Sequence, residues 1–439
     1  MADAIQLALS FITNAFSYSF KTAPIVAIAL VVYYLFYSRG IRLQKKYLRN
    51  LDWRVYEIKI PKENIRTPKA MEHVFASLYS MDVSIHWEET WITTGKLNNR
   101  MSLEIAGSSD GGVRFYVRAP KKLHNIIESS FFSQYPNAEI VETEDYTKEL
   151  PPDLPNDEYN LWGVELILKK PDYFPIRTYT YFFEETARKE EEARVDPISV
   201  IVELMSNLKE GERIWMQVLI RPSLEKWKEE GRKAIEAMAT GQKAKTKKNF
   251  IGAMAEETFH FLRNLIKAPF ELPDWPEDKK EEQKTFRLYS PVETDRMKAV
   301  GNKISKQGYT TTIRQIYVSK RETYSSANMY ALMGASRLYA DNNSNWLGPA
   351  KATWTMKPRF FFRKYLLQTR KKNIYKNYLN RSFPETRYFI HRDLYHLPVL
   401  NLEELASIYH PPVSKIVEGT GLRPVKAVKG APPPNLPIG

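Results

Sequence analysis

Four helical patterns in this chain open on a proline, at Pro68, Pro120, Pro197 and Pro291, and their placement constrains the fold more than any other feature. Proline has no amide hydrogen to lose and its fixed φ suits the first helical turn, so each marks a helix start. Ahead of Pro68 lies WRVYEIKI (Trp53 to Ile60), alternating apolar and charged residues as a half-buried strand does. Behind it, Met71, Val74, Phe75, Leu78 and Tyr79 share one helical side, MSLEIA reads as a strand, and GSSDGG turns the chain into VRFYVR. Pro120 then opens a helix with Leu123, Ile126, Ile127 and Phe131 on one side, and AEIVET closes the unit. That order is βαββαβ, a split-βαβ sheet with both helices on one face.

The order recurs. WGVELILKK gives a strand, Asp196-Pro197 a helix start with Ile198, Ile201, Val202, Met205 and Leu208 as its buried stripe, and RIWMQVLI the next strand. After an insertion, KTFRLYS returns, Ser290-Pro291-Val292-Glu293 reads as a capping box, and TTTIRQIYVS ends the unit. The fold class expected is therefore α+β, with two ferredoxin-like modules at 51–148 and 156–340. They are joined by the proline-rich ELPPDLPNDEY, and the second carries a helical arm at about 222–284.

The first fifty residues point to a membrane. Thr22 to Ser38 is a run of seventeen residues without a charge, bracketed by Lys21 and Arg39. As a helix it is about 26 Å long against a hydrocarbon core of about 30 Å, with Tyr33, Tyr34 and Tyr37 suited to one interface. Arg39, Arg42, Lys45, Lys46 and Arg49 follow with no acid among them, a positive-inside flank. Residues 1–20 read as an amphipathic segment and 21–38 as a single transmembrane helix. The expected location is the bacterial cytoplasmic (inner) membrane, with the C-terminal bulk cytoplasmic and the lipid bilayer as a partner.

No catalytic constellation stands out. The chain has no cysteine, which removes disulfides, thiolate nucleophiles and thiolate metal sites. GSSDGG leads into a strand, whereas phosphate cradling uses a helix N-terminus. HRDL (His391 to Leu394) imitates a kinase catalytic loop, but Pro398 stands where the metal-binding Asn belongs. His86, Glu88 and Glu89 do not share one strand face, so a surface or core role outweighs a metal site. The expectation is a protein that is not an enzyme, with no catalytic residue, metal or cofactor.

The net charge of +14 favours anionic partners. Charge concentrates in 354–383, where Lys357, Arg359, Arg363, Lys364, Arg370, Lys371, Lys372 and Lys376 are interleaved with Phe360, Phe361, Phe362, Tyr365, Tyr375 and Tyr378. Such a stretch binds single-stranded nucleic acid by phosphate contact and stacking. It also suits an anionic membrane surface or partner, or a helix packing its aromatics on the second module. Composition leaves all three open.

LPPDLPNDEYNLWGVELIL, VDPISVIVELMSNLKEGERIWMQVLIRP, VLNLEELASIYHPP and VKGAPPPNLP together resemble the N-terminal, membrane-anchored half of bacterial conjugation-type motor ATPases, as found in candidate-phylum bacteria. Those ATPases are similar to the motors of type IV secretion and DNA-transfer systems. The resemblance implies a non-catalytic platform that docks a motor ATPase, in trans or as a missing C-terminal half, with homo-oligomerisation and nucleic acid as further options for its partners. In the family the proline segment leads into a RecA-like domain. Here the chain stops at Gly439, so no ATP-binding residue carries over. The connector and tail, 384–439, hold the docking residues this implies: Asn401, Leu402, Glu403, Glu404, Leu405 and His410, with Pro432, Pro433 and Pro434 as an extended strap. The alternative is a membrane-tethered nucleic-acid-binding protein using the basic aromatic stretch.

Overall fold

The computed structural model describes residues 2–61, 66–110, 112–184, 196–240, 289–356, 362–383 and 397–412. In chain order these form α1 (Ala2–Arg49), β1 (Trp53–Lys59), α2 (Pro68–Leu78), β2 (Met101–Ser108), β3 (Gly112–Pro120), α3 (His124–Gln134) and β4 (Glu139–Thr143). Then come β5 (Tyr159–Leu168), α4 (Tyr179–Glu184), α5 (Pro197–Ser206), β6 (Arg213–Pro222), α6 (Lys226–Thr240), α7 (Pro291–Ser305) and β7 (Gly308–Lys320). The last are α8 (Ser326–Arg337), β8 (Leu347–Pro349), α9 (Arg363–Leu379), β9 (Val399–Asn401) and α10 (Leu402–Ile408).

Three of the four prolines sit in the first turn of α2, α5 and α7. Asp196 caps α5 by accepting from the Ile198 amide, and Ser290 with Glu293 forms the capping box of α7. Pro120 instead ends β3, and a short 3₁₀ turn separates it from α3.

The strands do not form two modules. They make one antiparallel sheet in the order β4-β1-β3-β2-β6-β7-β5-β8, with β9 added to β7. The join is the β2–β6 ladder, running from Met101 opposite Ile220 to Ser108 opposite Arg213. Two separate sheets would leave β2 and β6 as unpaired edges, each a row of unsatisfied amides and carbonyls; pairing them removes both. The second half also departs from the expected plan. β7, read as a closing strand, is inserted between β6 and β5, and β8 takes the place outside β5. Residues 284–288, most of the strand expected at KTFRLYS, lie outside the described residues, as does the arm beyond Thr240.

The membrane-anchored reading is corrected as well. α1 is one helix through Pro24 rather than an amphipathic segment followed by a span. Among the described residues no helix is long and apolar enough to cross a membrane. The uncharged run falls short of a hydrocarbon core, and its C-terminal end is taken up by the protein. Phe36 stacks on Trp87, and Tyr37 packs on Trp91. Arg39 donates to the Ile92 carbonyl at 2.9 Å, and Gly40 lies directly beneath the Trp91 ring, where a side chain would collide. The single-pass inner-membrane location falls with the span.

Strand alternation sends residues to opposite faces. One face, with Tyr56, Leu103, Ile105, Ile214, Met216 and Tyr317, meets α2, α3, α5, α8 and α10 in the main core. The other, with Val55, Ala106, Tyr116, Leu161, Trp215, Ile316 and Val318, is covered by Tyr146, Leu150 and Leu154 and by Ile374, Tyr375 and Tyr378 of α9.

Candidate functional site

α9 carries the basic stretch, and its seat on the sheet decides which charges reach solvent. Lys371, Ile374, Tyr375 and Tyr378 are buried. The approach is close because Gly163 lies below: a methyl there would stand 3.1 Å from Ile374 Cδ1. Tyr375 donates to the Pro151 carbonyl at 2.9 Å. Lys371 Nζ donates to Asn160 Oδ1 at 2.7 Å. Burial, with the Arg321 charge nearby, lowers the Lys371 ammonium to a pKa of about 8.

The C-terminal end of α9 is pinned by a buried charge network. Arg381, at a φ of 46°, donates Nε and Nη2 to the two Glu104 oxygens, each at 3.0 Å, and Nη1 and Nη2 to Asp145 at 2.6 and 2.8 Å. Glu104 also accepts from Tyr146 at 2.8 Å and from Gln217 at 3.0 Å. Burial opposes its charge, yet the Arg381 guanidinium more than offsets this and holds the carboxyl below its ordinary range. Next to it, Arg314 donates to Glu165 at 2.8 Å, to Gln217 at 3.0 Å and to the carbonyls of Asn377 and Ser382. These charges are satisfied by one another, so they fix a helix rather than wait for a ligand.

The residues expected to meet an anionic partner therefore divide. Arg363, Lys364, Lys372 and Lys376 are exposed. Arg370 is half-buried and donates to the Trp354 carbonyl at 3.3 Å, and Lys371 is internal. Lys357 and Arg359 lie outside the described residues. Phe362 and Tyr365 stand in solvent, 82% and 72% exposed.

The residues expected to dock a motor lie inside the chain. Asn401, Leu402, Glu404, Leu405 and His410 are buried. Asn401 and Glu404 close the capping box of α10, and Glu404 pairs with Lys303 at 3.0 Å. Glu403 and Glu72 share Lys306, at 2.7 and 2.6 Å, which ties α10 to α2 in the first half. His410 faces the Ala406 carbonyl at 2.7 Å through Nδ1 and Asp196 at 3.0 Å through Nε2. This segment is an internal clip between the halves of the sheet. Pro432, Pro433 and Pro434 lie outside the described residues.

Sequence reading missed the network under α9. Its signal is a polar side chain set against apolar neighbours within a strand: Glu104 between Leu103 and Ile105, Gln217 between Met216 and Val218, and Arg314 beside Ile313. Such a position needs a partner, because an unpaired buried charge is costly. Among the described residues no group of histidines and carboxylates could hold a metal ion.

No curated protein matches the chain. A family model described as a domain of unknown function, DUF8128, matches residues 44–357, from the end of α1 to just before α9. With more than half of its length matched, the chain belongs to that family.

Proposed function

We propose that the protein is a non-catalytic scaffold whose working surface is the exposed basic side of α9, a binding site for a polyanion. One observation carries this reading: Lys372 and Lys376 are exposed on the side of an acid-free helix that faces away from the sheet, and Arg363 and Lys364 are exposed in its first turn. Like charges at i and i+4, as Lys372 and Lys376 are, cost stability through mutual repulsion unless a counter-charge meets them. Rigid backing also means that little entropy is lost when a partner binds.

The resemblance to motor ATPases suggests where such a scaffold works, in a secretion-like or DNA-transfer machine beside a motor subunit. That assignment rests on the resemblance alone, since the buried clip offers the motor no exposed docking residues.

The reading is tested by titrating the full chain with long-chain polyphosphate across a range of salt concentrations. Binding should weaken steeply with salt and be largely lost in the Lys364→Glu, Lys372→Glu, Lys376→Glu triple variant. Binding that ignores salt, or that survives the triple variant, would contradict it.

A further inference from the structure

The α9 surface holds more than charge. Tyr365, Lys372 and Lys376 fall at i, i+7 and i+11, within a stripe of about 40° that runs about 16 Å along the helix. At its N-terminal end Phe362 occupies the left-handed region, at a φ of 62°, and is 82% exposed. A large aromatic residue gains nothing from that position: it is exposed to water, and its backbone region disfavours any residue with a Cβ. Tyr365, 72% exposed, stands three residues on. Two open aromatic rings thus stand at one end of a stripe that carries two exposed ammonium groups, Lys372 and Lys376.

We infer that the polyanion held by α9 is single-stranded nucleic acid, with bases stacked on Phe362 and Tyr365 and the backbone running past Lys372 and Lys376, while Lys364 meets it at the first turn; this rests on the polyanion-binding reading above. Base stacking on aromatics is tolerant of sequence, so the site would hold single strands without reading them. Duplex DNA fits poorly. A helix that reads the major groove must sink into it, and α9 has one side fixed to the sheet by Ile374, Tyr375 and Tyr378. Stacked pairs in a duplex also offer no free base to Phe362 or Tyr365.

The test measures binding of the full chain to oligo(dT) of about 20 nucleotides, a duplex of equal length and long-chain polyphosphate. The inference expects oligo(dT) to bind more tightly than the duplex. It expects Phe362→Ala with Tyr365→Ala to weaken oligo(dT) binding about tenfold or more, leaving polyphosphate binding unchanged. Both rings are exposed, so thermal melting should confirm that the double variant folds normally. Equal affinity for oligo(dT) in wild type and double variant, or a duplex bound as tightly as the single strand, would overturn the inference while leaving the polyanion site standing. Failure of polyphosphate and oligo(dT) alike to bind would overturn both.

Discussion

Arg381 meets two carboxylates at once, and the value of that contact lies in what its loss would strand. Removing the guanidinium leaves Glu104, fully buried, without its counter-charge. Arg381→Met should therefore cost about 3–5 kcal/mol in denaturant unfolding, the range for one broken partner of a buried pair. Adding Glu104→Gln should restore part of it; a double variant no better than the single one would show that the pair is not the cause. Lys371 gives a pH signature. Its folded pKa of about 8 lies below the ordinary 10.5, so the unfolded chain holds more protons between those values. Stability should consequently rise as pH climbs from about 8 to 10.5, and Lys371→Met should remove that rise from a pH series of melting temperatures.

At the scale of elements, three of the four proline-marked helix starts and most strands were legible, since proline placement and alternation are local signals. The basic helix was legible too, from composition. Its facing was not: Lys371 turns inward to Asn160 while its neighbour Lys372 faces water, and that depends on Gly163 admitting Ile374. The α10 clip misled for a related reason. Its acids and asparagine look like surface groups, yet they satisfy Lys303, Lys306 and the helix's own N-terminus. Leu405 is fully buried there, so Leu405→Ala should cost about 2–5 kcal/mol, read as a lowered denaturation midpoint. A near-neutral result would mean that the clip is not seated as described.

For the molecule as a whole, the sequence concealed the join. β2 and β6 each match an edge strand of a small module as well as a central strand of a large sheet, because a strand's own residue pattern does not specify which strand lies beside it. Only the ladder from Met101 to Ser108 against Ile220 to Arg213 decides between them. Val218, opposite Leu103 in that ladder, offers a test. Val218→Pro removes an amide from a central strand and should abolish cooperative unfolding of both halves together. Survival of one half's calorimetric transition would favour separate modules. The sheet's role, on this account, is to hold α9 rigid with its basic aromatic side outward. The most direct measurement is ultraviolet crosslinking of the full chain to bromodeoxyuridine-substituted single-stranded DNA, with the crosslinked residues mapped by mass spectrometry. The account predicts crosslinks at Phe362 and Tyr365 that disappear in the Lys364→Glu, Lys372→Glu, Lys376→Glu variant; crosslinks confined to other elements and unaffected by that variant would contradict it.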